Sequence, residues 1–380
     1  MNVSGIQRWE GALLAVRPKS PDFILFFAVI ALLSFGVVMV YSSSAVSAYV
    51  NFNDSYYFLK RQIIWATLGV IAMLLALNVD YHIWRKFATP ALLLTIVLLI
   101  LVLIPGFGKV VNGARRWLGF GSLYLQPSEI AKLSMVLFSA ANLARNQEKI
   151  TFFLKGVVPQ LLILLVVFGL ILKEPDLGTA LAIGGTVFVL LFAAGAKLSH
   201  LSYLGFVGIS GIVAAILLEP YRLKRLLAFS DPWADPLNTG YHIIQSLYAL
   251  GSGGLFGVGL GRSREKFLYL PEPHTDFIFA ILGEELGFIG TITVILLFFL
   301  FAWRGFKIAI SAPDIYGSML AAGLTTMIIM QALMNIAVVT ASMPVTGIPL
   351  PFLSFGGSAL IFTLLGVGIL LNISRYIHDK

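Results

Sequence analysis

Long apolar runs recur ten times along this chain, and that repetition limits what it can fold into more than any motif does. They lie near 22–42, 62–79, 87–104, 128–145, 154–172, 177–196, 200–218, 277–303, 316–340 and 356–374. Each is about 18 residues or longer with few charges, enough to cross ~30 Å of hydrocarbon as a helix. Polar residues or glycines interrupt the edges of the fourth, sixth and tenth runs. With 58% hydrophobic and 12% charged residues in 380, and a mean hydropathy of +0.92, a water-soluble globule is excluded. The pattern predicts an all-α polytopic membrane protein of about ten transmembrane helices. It forms a single domain over 1–380, with a large extracellular loop, 219–275, between the seventh and eighth spans.

Orientation follows from Lys and Arg. With the N-terminus inside, the cytoplasmic segments carry Arg8, Arg17, Lys19, Arg85, Lys86, Arg145, Lys149, Lys155, Lys197, Arg304, Lys307, Arg375 and Lys380. The short outer loops hold only Lys60, Arg61, Lys109, Arg115, Arg116 and Lys173, so both termini are predicted cytoplasmic. The first run ends in Tyr41-Ser42-Ser43-Ser44 and reads as an uncleaved span rather than a signal peptide. No cysteine is present, which removes disulfides and thiol chemistry. The net charge of +8 suits anionic headgroups or a pyrophosphate, although ordinary positive-inside bias explains much of it.

Within 219–275, Tyr241, Ile244, Leu247, Tyr248 and Leu250 recur at helical spacing and predict an interfacial or re-entrant helix of about three turns. Six glycines between Gly251 and Gly261 follow. The tract lacks the Gly-Lys-Ser/Thr ending of a phosphate-cradling loop, so it predicts close helix approach or tight turns rather than a nucleotide site. Nothing suggests nucleic acid as a partner.

Charge inside such a chain is informative, because an Asp at a helix centre costs roughly 2.5–3.5 kcal/mol on insertion scales. Asp276 opens the eighth span and would serve elsewhere as a helix cap. Here Glu272, His274, Arg262, Arg264 and Lys266 crowd the same stretch, and a hydrated, charge-rich pocket is the better reading. Glu284 and Glu285 point roughly 100° apart and are expected to pair internally with neighbouring helices. Glu129 and Lys132 form an i,i+3 pair that either self-neutralises or lines a polar cavity with Asp276. Arg115 and Arg116, beside Trp117, are interfacial anchors or a phosphate clamp. Lys173 to Thr179 is a charged turn, a candidate cation or polar-network element. The proline- and glycine-rich stretch Met343 to Ser358 is non-helical backbone, tolerated at membrane depth only where it is buried or lines a cavity.

The runs Asn112–Trp117, Gln126–Lys132, Pro175–Thr179, Tyr221–Pro236, Leu270–Gly287 and Pro344–Ser358 together resemble the SEDS family (shape, elongation, division, sporulation), from about Ser20 to Arg375. Val40–Ala45, Asn78–Tyr81 and Tyr269–Pro273 look closer to the FtsW/SpoVE branch than to RodA. Phe355 and Ala341 depart from it, where the family often has Tyr and Gly. The resemblance implies a peptidoglycan glycosyltransferase that polymerises lipid II at the outer face of the bacterial cytoplasmic membrane. Its implied partners are a class B penicillin-binding protein and division or sporulation proteins. It maps the family's essential acid onto Asp276 and its conserved Glu and Lys onto Glu129 and Lys132.

Joining a sugar 4-hydroxyl to the anomeric carbon of a second lipid-linked disaccharide can proceed by one inverting displacement. Such a step needs a general base, for which Asp276 is the candidate, and positive charge for the leaving pyrophosphate. Arg115, Arg116 and Lys132 are candidates for that charge, as is Mg2+ or Mn2+ with ligands the sequence does not assign. Lys266, His274 and Glu272 complete the expected polar cavity. A lipid II flippase is the alternative, since ten spans with intramembrane charge also suit alternating access; against it, the acids gather at the outer surface. A non-catalytic scaffold would leave those acids without a purpose.

Overall fold

The computed structural model describes residues 19–377 except 112, 121, 122 and 268. Asn112 and the basic residues Arg8, Arg17 and Lys380 therefore lie outside the described residues. Helices occupy all ten expected positions: α1 Phe23–Phe52, α2 Tyr57–Asn78, α3 Tyr81–Leu103, α4 Pro127–Arg145, α5 Val158–Lys173, α6 Leu177–Ala193 and α7 Leu198–Leu217. After α8 Pro220–Ser230 and α9 Tyr241–Gly253 come α10 Ile278–Ser311, α11 Ile315–Val339 and α12 Gly357–Ser374. Eight of the ten are long and apolar enough to cross a membrane, α5 counted with the π-turn Phe153–Val157 that precedes it. α6 is shorter at 17 residues, and α4 carries Glu129, Lys132 and Arg145. The protein is a multi-pass membrane protein.

Local chemistry starts these helices. Asp22 accepts from Leu25 N (3.0 Å), Asp176 from Thr179 N (3.0 Å) and Asp314 from Gly317 N (2.9 Å), each satisfying an otherwise orphaned amide. Pro127 sits at the start of α4, where its missing N–H costs nothing. α11, α12 and α4 are heavily enclosed; α12 runs along α2, and α11 packs on α4 and α10.

Two features exceed the helical expectation. Residues after α3 form a three-stranded antiparallel sheet, β1 Gly108–Val111, β2 Ala114–Phe120 and β3 Leu123–Leu125, in the order β1-β2-β3. The 219–275 segment holds α8 besides the expected helix α9.

α10 is broken at Gly287 (φ 67°, ψ −162°), a conformation that favours glycine. The break leaves backbone groups without intrahelical partners, and the glycine tract supplies them. Val258 N donates to Glu284 O (3.0 Å) and Gly259 N to Glu285 O (3.1 Å), while Phe288 N donates to Gly254 O (2.9 Å). A Cβ on Gly257 would lie 2.1 Å from Glu285 O, so the tract serves close backbone approach, as expected. Glu285 accepts from Ser42 (2.6 Å) and pairs with Lys266 (2.8 Å). Glu284 turns instead to the loop after the glycines, accepting from Arg264 N (2.7 Å) and Ser263 Oγ. Both acids are buried, and their partners differ as their angular separation requires.

Candidate active site

A cavity of about 390 Å³ opens among β2, the N-terminal ends of α4 and α6, α8, α9, the segment before α10 and the stretch 345–359. Each of the six sequence motifs contributes wall to it.

Asp276 is held there by its backbone. Asn335 Nδ2 on α11 donates to Asp276 O (2.7 Å) and to Ile348 O (2.8 Å). Ser354 Oγ donates to Thr275 O (2.6 Å), and Phe355 N to His274 O (2.9 Å). The Asp276 carboxylate itself accepts no hydrogen bond and forms no ion pair among the described residues, and it lies close beside Gly347, where an added Cβ would stand 3.5 Å from its Oδ2. Gly347 has φ 76°, so the wall beside the acid takes a turn that a side chain would strain. Burial, reinforced by the charge of Glu272, pushes the Asp276 carboxyl up to about 7 against the opposing charges of Arg225 and Arg116.

Glu129, on the first turn of α4, lines the same cavity, with Lys132 behind it. Lys132 Nζ lies 2.8 Å from Glu129 Oε2 and donates to Gln331 Oε1 (2.6 Å); Gln331 Nε2 donates to Pro349 O (2.8 Å). The pair thus reaches Asp276 indirectly. Gln331 and Asn335, i and i+4 on α11, pin the loop at 348–349, and Asn335 also holds Asp276. Sequence reasoning passed over these two, although an amide pair at helical spacing in an apolar span signals such a role.

Arg116 lines the cavity with its guanidinium spread over the α5–α6 turn: Nε donates to Glu174 O (2.9 Å), Nη2 to Pro175 O, and Nη1 stands 4.0 Å from Asp176. Asp176, the cap of α6, is also in the wall, in line with the polar-network reading of this turn. Beside it Glu174 is fully buried with both carboxyl oxygens unpartnered among the described residues, and burial pushes it up to about 9. Glu272 completes the acidic wall in a left-handed conformation, φ 51°.

Three expected cavity residues stand elsewhere. Arg115 does not line the cavity: the register of β1 and β2 shifts here, pairing Val110 with Arg115 and Lys109 with Trp117 so that Arg116 is the bulged residue, and Arg115 bonds Leu103 O instead. Lys266 is consumed by Glu285. His274 packs between Phe58 (4.3 Å) and Phe355 (5.8 Å), where burial lowers its proton affinity and keeps it neutral. In their place the cavity gains Arg225, Tyr221 and His242 from α8 and α9. Arg225 donates to Val345 O (2.9 Å) and lies 4.4 Å from the centre of the Tyr221 ring. The i,i+4 spacing of Tyr221 and Arg225 was the available signal.

Residues 23–379 match the FtsW/RodA/SpoVE family, described as "Cell cycle protein". The chain belongs to this family. Among its SEDS relatives it is 52% identical over 363 residues to stage V sporulation protein E of Bacillus subtilis, covering 96% of this chain and 99% of the relative. It is 46% identical to a probable peptidoglycan glycosyltransferase FtsW of Trichlorobacter lovleyi, covering 93% of each. Its fold is similar to a chain of a solved peptidoglycan synthase complex that coordinates polymerization and crosslinking, at TM-score 0.77 and 31% identity over 93% of this chain and 98% of that one. Similarity to the rod shape determining protein RodA of Thermus thermophilus has TM-score 0.70 at 31% identity, over 95% and 98%.

Among the described residues no three acidic or histidine side chains converge as a metal cage. Mg2+ typically binds through one or two carboxylates plus substrate phosphates, and the cavity-facing carboxylate of Glu272 in this SEDS chain suits that mode.

Proposed function

We propose that Asp276 is the general base of the peptidoglycan glycosyltransferase reaction this chain performs in division or sporulation. The observation that carries this reading is an unengaged carboxylate in a cavity built by six separated motifs, with its proton affinity raised toward neutrality. A base of that strength is half-ionised near working pH and can both take and release a proton.

The substrate is lipid II, presented at the outer face of the membrane, with both termini of the chain inside and the segment 219–275 outside. In the step, Asp276 removes the proton of the acceptor 4-hydroxyl as that oxygen bonds the donor's anomeric carbon. The anomeric C–O bond breaks on the opposite side, its electron pair leaving on the phosphate oxygen. The configuration inverts. A pyrophosphate leaving group needs no protonated second carboxyl, so one acid suffices where glycosidases use two. Arg225 and Arg116 meet the developing charge, and Mg2+ or Mn2+ held by Glu272 and the phosphates would add to it. Glu129 shapes the cavity directly, and Lys132 holds it and the 348–349 loop in place.

The family's solved complex is the reason to pair this chain with a class B penicillin-binding protein as its crosslinking partner. Purified protein, lipid II, divalent metal and that partner, incubated together and resolved by gel electrophoresis, should yield glycan strands. Translocation of lipid II between leaflets without polymer would instead identify a flippase.

A further inference from the structure

A second cavity of about 330 Å³ adjoins the first, and the proposed reaction leaves it without a role. The two share Tyr221, Arg225, His242 and Val345, so a ligand can extend from one into the other. Asp276 lines only the first; Lys224 and Ala228 line only the second. Tyr221, Lys224, Arg225 and Ala228 stand at i, i+3, i+4 and i+7, one face of α8, and Ile243 of α9 lies across from them. The volume lies within the roughly 300–1,000 Å³ of small-ligand sites.

Its chemistry is two-sided. Ala228, Ile243, Val345 and the Tyr221 ring make apolar wall. Lys224 and Arg225 supply two cations, and no carboxylate lines the cavity among the described residues. Lys224 makes no hydrogen bond or ion pair among the described residues, whereas Arg116 in the first cavity donates to two carbonyls and Arg225, shared by both, to one. α8 follows directly on α7, of which only Leu201 is buried, leaving an apolar flank open to lipid chains. An anion joined to a hydrocarbon chain fits all of these observations.

We infer that the second cavity holds the prenyl pyrophosphate end of the donor substrate, with the phosphates on Lys224 and Arg225 and the first isoprene units against Ala228, Ile243 and Val345. This rests on the glycosyltransferase reading. It also gives that reading a direction, because an inverting displacement needs base and leaving group on opposite sides of the anomeric carbon. Asp276 supplies one side and the Arg225 wall the other, so the donor's reacting carbon sits in the first cavity at the shared boundary.

The test uses full-length protein in detergent and a polyprenyl pyrophosphate bearing a diazirine on its second isoprene unit. Photolysis should label peptides of 220–230 and 241–253. Lys224→Gln should weaken binding of the probe about tenfold, as loss of one charge-assisted contact does, and Ala228→Trp should abolish it. Should Ala228→Trp fail to fold, the exposed Lys224→Gln still decides the matter. Asp276→Asn should bind the probe as the unaltered protein does, which separates this site from catalysis. Labelling confined to other helices, unchanged affinity in Lys224→Gln, or equal competition by phosphatidylglycerol would overturn the assignment. Those results leave polymerisation intact, whereas absence of glycan from the unaltered protein and its partner would overturn the glycosyltransferase reading itself.

Discussion

Activity should follow the ionisation of Asp276 across neutral pH. With its carboxyl pushed up to about 7, about a tenth is ionised at pH 6, half at pH 7 and nine-tenths at pH 8. If only the ionised form accepts the acceptor's proton, kcat/KM rises about fivefold from pH 6 to 7 and less than twofold from 7 to 8. An unperturbed carboxylate near 3.9 would give a profile flat over this range. The charges around the acid make the prediction sharper. Glu272 raises its proton affinity and Arg225 lowers it, so Glu272→Gln should move the inflection to lower pH and Arg225→Gln to higher pH. The assay is initial-rate formation of glycan from lipid II at fixed ionic strength, with circular dichroism confirming that each variant is folded. A flat profile from pH 5.5 to 8, or shifts in the opposite directions, would refute the assignment of Asp276 as base.

The remaining expectations concern the groups around it. Lys132→Met leaves Glu129 buried without its counter-charge, which should cost about 3–5 kcal/mol; pairing it with Glu129→Gln should restore most of the melting temperature. Glu174→Gln should preserve both fold and rate near pH 7, since burial already holds this carboxyl neutral; a large loss in either would mean that it works as an anion. With its proton affinity raised, Glu174 contributes its full stability only below about 4.5, loses it steadily as the pH climbs from there to about 9 and is level beyond, a downward slope through neutral pH that Glu174→Gln should remove. Ala341 has φ 52°, where an L-residue is strained, so Ala341→Gly should stabilise the fold by about 0.5–1 kcal/mol in thermal unfolding.

That last residue shows how sequence and structure divide the work. Ala341 stood out as a departure from the family's Gly, which suggested a packing difference; the backbone angle shows that conformation is at issue. The spans were legible because membrane crossing imposes a length and an apolarity that few other folds need. Asp276, Glu129, Glu272 and Arg116 were legible because charge beside or within such spans demands a reason. Lys266 and His274 misled, since nearness in sequence to Asp276 does not survive the turns of 266–276: Lys266 reaches back to Glu285 and His274 tucks against Phe58. Arg115 misled because the bulge that sets Arg116 apart from it in the β1–β2 pair leaves no signal in the sequence. Gln331, Asn335 and Arg225 carried a spacing signal that marked them as notable, but their partners, Pro349, Asp276, Ile348 and Val345, lie far away in sequence and only packing shows them.

The most direct measurement is polymerisation of lipid II by Asp276→Asn, a near-isosteric change that removes the proposed base, in the presence of the proposed penicillin-binding partner. The protein should unfold at or above the temperature of the unaltered chain, because Asn removes a carboxylate that is costly to ionise in this cavity, and it should make no glycan above background. Glycan strands of normal length and rate from that variant would contradict the assignment of the base.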